Sequence, residues 1–199
     1  MPRIVTQTRF ERTFAKHSRQ ANNIVKKLAN KDLDAEQFGD AFDALLWKAH
    51  TDAITLGRKR AGDYAPQHED DQNLALDIKD SDADYLNSFI DDIKSGRYTL
   101  EDGSLNADAI QSRAQLYIRK TRGSANESFV NASDDDDYFI WQLGFTEHCS
   151  DCIDLAAGSP YSKDELWTYP GQGDTVCLGN CACNLQRVSD GRKGFERAF

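Results

Sequence analysis

The spacing of apolar residues predicts four helices in the first two thirds of the chain. In the clearest of them the apolar side chains recur every three or four residues and share one helical face: Phe38, Phe42, Leu45, Ala49, Ala53 and Leu56. Asp34 is placed to cap its start. The segment 57–62, GRKRAG, ends it with three cations, which the helix dipole favours at a C-terminus. A thinner apolar stripe predicts an earlier helix over about 6–30.

The next segments alternate between loop and helix signals. The polar stretch 63–80 shows no period, which predicts a linker or surface loop. A third helix is predicted over 81–96 and a fourth over about 106–129. The four consecutive aspartates at 134–137 are interpreted as an exposed acidic loop rather than a calcium site, because adjacent carboxylates cannot all face one cation.

After the acidic loop the pattern changes to that of strands. YFIWQLGF, 138–145, is dense in aromatic and β-favouring residues. CACNLQRV, 181–188, alternates along its length. We expect the two strands to pair antiparallel, with the cysteines near one end. The predicted fold class is α+β and mainly α-helical, a helical body with a small C-terminal cysteine-rich knob of β-hairpin and α-helix stabilised by zinc.

Composition and charge add a division along the chain. The 199 residues suffice for one modest domain or two small ones. Residues 1–62 carry 12 Lys and Arg against 7 Asp and Glu, a net charge of +5. Since the whole chain has a net charge of −9, the remaining residues carry −14. We therefore predict a basic N-terminal helical segment over 1–62, a linker with middle helices over 63–137, and a cysteine-rich zinc knob over 138–199.

The basic segment is suited to an acidic surface, either nucleic acid or protein, although a solvated helix surface gives the same charge. Within it Arg58, Lys59 and Arg60 are candidates for phosphate contacts. Neutralisation of the helix end is the commoner explanation for such a cluster.

The chain shows no apolar stretch of signal-peptide type and no run of the ~18 residues that a membrane span needs. We expect a soluble protein made in a cytoplasm, without a membrane partner. Thiols stay reduced there, so clustered cysteines indicate metal ligands before disulfides.

All five cysteines lie within one 35-residue window: Cys149, Cys152, Cys177, Cys181 and Cys183. A CxxC turn and a CxC pair can direct Cys149, Cys152, Cys181 and Cys183 to one tetrahedral ion. Cys177 can replace either member of the CxC, and His148 is a further surplus candidate. We expect four of the five cysteines to bind a structural zinc ion. The alternative is free buried cysteines with an occasional disulfide.

Other catalytic motifs are absent from the sequence. There is no HExxH, the residues after His68 lack deaminase spacing, and GQGDT at 171–175 lacks the GK[ST] of a P-loop. The sequence therefore indicates a protein that is not an enzyme.

The segment 148–186, HCSDCIDLAAGSPYSKDELWTYPGQGDTVCLGNCACNLQ, resembles the C-terminal signature of phage minor head proteins, the Mu F-like head morphogenesis family. That signature joins a CxxC to a proline–glycine turn and an NCxCxL run. The segments 42–62, 82–100 and 109–129 are similar to the helices of this family. Cys177 stands where many members have Cys or His, and Ala182 departs from the usual Arg.

The resemblance implies a virion protein of the head, present in low copy and made in the host bacterial cytoplasm. Its implied partners are the phage portal protein, the major capsid protein, and packaged DNA through the basic helices. Its implied role is head morphogenesis, with genome packaging or ejection.

Two other functions compete with this one. A metal-dependent hydrolase of head maturation, a nuclease or peptidase, would use His148 and a cysteine at an open zinc site. A zinc-ribbon nucleic-acid-binding protein would bind through the knob itself, which the −14 charge after Gly62 disfavours.

Overall fold

The computed structural model describes residues 7–66 and 69–188 and is mainly helical, with one small antiparallel sheet. The five α-helices and two strands are α1 Gln7–Ala29, α2 Ala35–Ala61, α3 Glu69–Lys94, α4 Ala107–Asn131, β1 Tyr138–Gln142, α5 Ser150–Ala157 and β2 Asn184–Val188. Short 3-10 helices lie at Lys163–Glu165 and Leu178–Asn180. This confirms the predicted α+β, mainly helical class. None of the described helices is long and apolar enough to cross a membrane.

Local signals set the ends of α2 and α4. The Gln37 N–H donates to Oδ1 of Asp34 at 2.9 Å and the Asp34 N–H donates back to Gln37 Oε1 at 3.0 Å, so α2 starts with a reciprocal cap. It ends before Gly62, whose φ of +106° suits glycine. The side chain of Asn106 accepts from the Ala109 N–H at 3.0 Å and caps α4.

The prediction of a loop over 63–80 is wrong from Glu69 onward, where α3 begins. The buried face of this part of α3 consists of Asp71, Ala75 and Asp82. These positions keep helical spacing, but small and charged members conceal the hydrophobic period. Three carboxylates in the first turn also favour a helix start through the dipole.

The two strands pair antiparallel, as predicted, from Tyr138 opposite Val188 to Gln142 opposite Asn184. Both are shorter than the sequence indicated, since β1 ends at Gln142 and β2 begins at Asn184. Residues 181–183 precede the ladder, and both cysteines of the CxC are buried.

The acidic loop 134–137 is exposed at its first three residues, as predicted, but Asp137 is buried. Its Oδ2 accepts from the backbone N–H of Asp134 at 3.0 Å and lies 3.4 Å from Nη1 of Arg187. The carboxylate of Asp137 thus ties the loop to β2.

The described residues form two compact units, each with its own core. We name them the cysteine unit, residues 54–65 and 120–188, and the helical unit, residues 7–53, 66 and 69–119. Both α2 and α4 contribute to each unit. The predicted segments, divided at 62/63 and 137/138, were each continuous in sequence. The two units instead combine separate stretches of the chain, so their limits differ from the predicted ones. Residues 189–199 of the predicted knob lie outside the described residues.

Aromatic rings fill the core of the helical unit. Phe38 stacks on Phe42, and Phe89 meets both rings edge-on and stacks with Tyr117. The core of the cysteine unit combines rings with thiols: Phe129, Val130, Phe139, Trp141, Cys152, Leu155, Leu166, Cys181, Cys183 and Leu185.

In the cysteine unit α2 and α4 touch backbone to backbone at Gly57. A Cβ at this position would lie 2.2 Å from the Ala125 carbonyl oxygen and 2.9 Å from the Phe129 nitrogen. The hydroxyl of Ser128 donates to the Ile54 carbonyl at 2.9 Å beside it. Only glycine allows this approach.

Gly57→Ala is expected to destabilise the protein by about 1–3 kcal/mol, because the helices must separate to admit the methyl group. Helix propensity alone predicts a gain of up to ~1 kcal/mol instead. The matched control is Gly39→Ala in the same helix, where the added Cβ would meet only the flexible end of Ile90. Urea unfolding followed by circular dichroism measures both, and equal or higher stability of Gly57→Ala would contradict the close contact.

Candidate metal centre

All five cysteines lie in the cysteine unit, on segments that converge. Cys149 is the N-cap residue of α5 and Cys152 lies in its first turn. Cys177 and Cys181 flank the second 3-10 helix, and Cys183 directly precedes β2. All five are free thiols.

The thiols form two groups of three that share Cys152. One group joins it to Cys149 and Cys177, the other to Cys181 and Cys183, and within each group all Sγ atoms lie within 4.8 Å of one another. The Sγ of Cys152 is 3.6 Å from the Sγ atoms of both Cys177 and Cys181. Among the described residues, the predicted four-cysteine set is thus divided between two groups.

The sulfur–sulfur distances suit a metal centre. Zinc–thiolate bonds are about 2.3 Å long, so two sulfurs of a tetrahedral site lie about 3.8 Å apart. A disulfide would require about 2.05 Å. The observed 3.6 Å is close to the first value. The cysteine cluster can therefore hold a metal ion.

Hydrogen bonds between the thiols separate their pKa values. The bond from Cys181 lowers the pKa of Cys183 to about 5, against the opposing effect of burial. The same bond, together with burial, raises the pKa of Cys181, and burial raises that of Cys152. Burial also acts to raise the pKa of Cys149, but interactions with Cys152 and Cys177 outweigh it and leave that pKa low. Cys183 thus loses its proton readily, whereas a bound cation must displace the protons of Cys152 and Cys181.

The surroundings of the thiols are apolar, and they include one unpaired donor. The indole Nε1 of Trp141 is buried and has no hydrogen-bond partner within the described residues. It lies outside hydrogen-bonding geometry but close enough to Cys183 to help lower the pKa of that thiol. A permanent thiolate at Cys183, as metal binding requires, would stabilise this buried donor. The residues present therefore fit a metal.

A proline–glycine turn places the segment that carries Cys177. In the turn 169–172 the Gln172 N–H donates to the Tyr169 carbonyl at 3.0 Å, and Gly171 has a φ of +86°. This is the arrangement that favours proline followed by glycine. The turn lies against α4, where a Cβ at Gly123 would be 2.5 Å from the Cα of Gln172.

Side chains from α4 and α5 fasten the same segment. Asn126 donates to the Pro170 carbonyl at 2.9 Å, and both groups are buried. The Val176 N–H donates to Oδ2 of Asp151 at 2.9 Å, which ties the residue before Cys177 to the first turn of α5. The position of Cys177 is thus fixed from two sides.

His148, the surplus candidate, lies at the edge of the cluster. Its Nδ1 is 3.6 Å from the Sγ of Cys183 and its Nε2 is 3.0 Å from the Gly144 carbonyl oxygen. The structure thus brings together all six donors that the sequence singled out, with His148 beside one thiol.

Two of the three cations expected to contact DNA or a portal protein have partners inside the cysteine unit. Arg58 is 6% exposed, and its Nε and Nη2 donate to Oδ2 of Asp63 at 2.8 and 2.6 Å. Lys59 is half-buried. Arg58 therefore neutralises the carboxylate that follows α2, which corrects the expectation of a surface contact.

Arg60 is also used internally. Its Cζ lies 4.0 Å from the centre of the Phe129 ring, and its guanidinium donates to the Leu185 carbonyl and to Oδ1 of Asn126. Burial lowers the pKa of Arg60 to about 10. This partly buried side chain joins α2, α4 and β2.

No family model, no curated protein and no solved structure matches the chain. The likeness to phage minor head proteins therefore rests on the sequence motif.

Proposed function

We propose that this protein is a non-enzymatic structural component of a tailed-phage head, a minor head protein of the Mu F-like morphogenesis type. The observation that carries the proposal is the convergence of the five thiols in the core of one unit, on the segment whose sequence resembles that family. The partners are the portal or major capsid protein and packaged DNA, and the site of action is the virion head.

The metal in this proposal is zinc, and its role is structural. Thiolates are soft ligands that favour zinc over magnesium or calcium. A tetrahedral site with four protein ligands leaves no position for a reactive water. The burial of Cys152, Cys181 and Cys183 supports such a closed site. A closed site stabilises the fold and favours a protein without catalysis.

When bound, the metal supplies a crosslink between thiolates. The chain's own residues position the thiols for this crosslink. Cys149 and Cys152 lie at the start of α5, and Asp151 accepts a hydrogen bond from the backbone N–H just before Cys177. The bound metal would join α5 to the start of β2. A sheet of two five-residue strands is marginally stable by itself and needs such a crosslink.

Peptide mass spectrometry of purified particles tests the proposed role. Isotope-labelled peptides of this chain give its copy number, and portal and major capsid peptides from the same digest serve as internal standards. We expect a few copies per particle, with loss after DNA release if the protein leaves during ejection. Copy numbers in the hundreds, or absence from both particles and assembly intermediates, would contradict a minor head protein.

The contact with DNA is proposed for α1 rather than for the end of α2. Five cations of α1 are exposed and follow helical spacing along one side: Arg12, Lys16, Arg19, Lys26 and Lys27. The opposite side, with Ala21 and Val25, is buried. Within the described residues none of the five makes an ion pair. A row of unneutralised cations suits a phosphate backbone.

Replacing Lys16, Arg19 and Lys26 together by glutamine is expected to lower the salt dependence of DNA binding, reducing the slope of log K against log salt by about 3. The matched control removes the same charge from cations that are paired with carboxylates: Lys48, Lys79 and Lys94. Fluorescence anisotropy on duplex DNA over a salt series measures both variants. Equal slopes for the two variants would exclude α1 as the DNA surface, and selective loss of portal binding would reassign it to a protein partner.

A further inference from the structure

Large exposed apolar side chains adjoin the thiol cluster. Ile153 directly follows Cys152 and is 51% exposed. Val176 and Leu178 flank Cys177 and are 69% and 60% exposed. The Sγ atoms of Cys152 and Cys177 lie 3.6 Å apart, so these three apolar residues belong to one small region. Single exposed apolar residues are normal on a protein surface, whereas a group of large ones marks an interaction site.

A fourth exposed apolar residue adjoins the CxC end of the cluster. The side chain of Phe145 is fully exposed. It follows Gly144, where a Cβ would lie 2.5 Å from the Ala182 carbonyl oxygen, so this turn lies directly against the CxC segment. Exposed apolar residues therefore stand beside both groups of thiols. We name these four residues the apolar patch: Phe145, Ile153, Val176 and Leu178.

Within the apolar patch, Leu178 also has an unfavourable backbone conformation. Its φ of +51° lies in the left-handed region, where a Cβ crowds the following carbonyl oxygen. Glycine and asparagine adopt this conformation most readily, yet here they stand at the next two positions, 179 and 180. A leucine is thus held in a strained conformation with its side chain in solvent. Strain of this kind clusters at binding sites, and burial of the leucine against a partner would offset it.

Carboxylates accompany the apolar patch along the sequence. Between residues 143 and 183 the chain carries six carboxylates and one lysine: Glu147, Asp151, Asp154, Asp164, Glu165, Asp174 and Lys163. Three exposed carboxylates stand within two residues of a member of the patch: Glu147, Asp154 and Asp174. The lysine pairs with Asp135 of the acidic loop at 3.0 Å. The apolar patch is therefore bordered by negative charge.

This charge selects among the possible occupants of the apolar patch. A second copy of the same face would bring like charges together, which disfavours a symmetric dimer through this surface. Nucleic acid is disfavoured for the same reason, because its binding rests on the neutralisation of phosphates. The complementary surface belongs to a protein and is apolar at its centre with lysine and arginine at its rim, since interfaces join an apolar core to a polar rim of complementary charge.

We infer that the apolar patch is the surface through which this chain docks onto another protein of the head, at a contact face that is apolar and bordered by lysine and arginine. The inference rests on the proposed head role and adds which part of the chain makes the contact. The thiol cluster fixes the patch in place, because three of its four members directly adjoin a cysteine.

Competition between Leu178→Asn and the wild-type chain during assembly tests this surface. Both chains are produced in one host cell, and isotope-labelled peptides that contain position 178 give their ratio in purified particles and assembly intermediates. Asparagine tolerates the left-handed backbone, so the variant is expected to keep its metal and to unfold at an equal or higher urea concentration than wild type. It is nevertheless expected to be incorporated at least ~10-fold less than wild type, because an apolar contact at the interface is lost.

The matched control is Leu100→Asn, since Leu100 is an exposed leucine of the helical unit. This variant is expected to be incorporated as well as wild type. Equal incorporation of Leu178→Asn would overturn the docking surface while leaving the head role intact. Absence of the wild-type chain from both particles and assembly intermediates would overturn both.

Photocrosslinking within the same particles identifies the occupant. The photoreactive residue p-benzoylphenylalanine is placed at position 145, and crosslinked peptides are sequenced by mass spectrometry after irradiation. The expected crosslinks are to a different head protein, in a segment that carries lysine or arginine. The same reagent at Tyr85, an exposed position of the helical unit, provides the background. Crosslinks only to a second copy of this chain or to DNA, or none above that background, would overturn the inference.

Discussion

Replacing Cys152 by serine is expected to abolish metal binding and to unfold the cysteine unit. Cys152 is the thiol common to both groups, and it is 1% exposed in the core of the unit. Structural zinc contributes about 10–16 kcal/mol of apparent binding free energy. Net domain stabilities are only about 5–15 kcal/mol, so a unit that depends on the metal cannot fold without it. Metal analysis and near-ultraviolet circular dichroism measure the two effects.

The matched control for this substitution is Ile153→Ala, the next residue of α5, whose side chain is exposed. It alters the same helix without touching the thiols, and should keep both metal and fold. Retention of one metal ion per chain by Cys152→Ser would show that the centre does not depend on the shared thiol.

Removing the metal from the wild-type chain is expected to unfold the cysteine unit locally. After chelation, amides of β1, α5 and β2 should exchange with solvent at least ~100-fold faster, which corresponds to roughly 3 kcal/mol of lost local stability. Amides in the part of α2 before residue 54 and in α3 should keep their protection, because the aromatic core of the helical unit contains no cysteine. Hydrogen exchange read by mass spectrometry resolves these segments.

The Cys152→Ser variant provides the reference state for that experiment, since it should exchange rapidly in the cysteine unit with or without chelator. Unchanged exchange over residues 138–188 after verified metal removal would contradict a structural role for the metal. Simultaneous release of the helical unit would mean that the two cores fold as one.

The sequence predicted those parts of the structure that depend on local spacing. The face from Phe38 to Leu56, the cap at Asp34 and the cations of 57–62 are all signals within a few turns, and α2 follows them closely. The strands were predicted from dense aromatic and alternating residues. Each strand adjoins a pair of cysteines expected to converge, which predicted that the two strands pair with each other, and they do so.

The start of α3 was missed because its buried face carries charge. A helix whose inward positions are Asp71, Ala75 and Asp82 shows no hydrophobic period, so it looks like a polar loop. Its acidic first turn was the available signal, and this signal was obscured by the acidic composition of the whole segment.

The roles of Arg58 and Arg60 were beyond any local pattern. A cluster of cations after a helix normally lies in solvent, yet the main-chain partner of Arg60 belongs to Leu185, 125 residues away. The grouping of the thiols is non-local in the same way. Spacing predicted that the cysteines converge, but only the fold divides them around Cys152 and places His148 beside Cys183.

The most direct test of the central claim, a closed structural metal centre in the cysteine unit, is native mass spectrometry of the full-length chain purified without added metal or chelator. The account predicts the mass of one zinc ion per chain, with loss of the thiol protons that it displaces, and a return to the metal-free mass after acidification. A metal-free native mass, with all five cysteines open to alkylation or paired in disulfides, would contradict it.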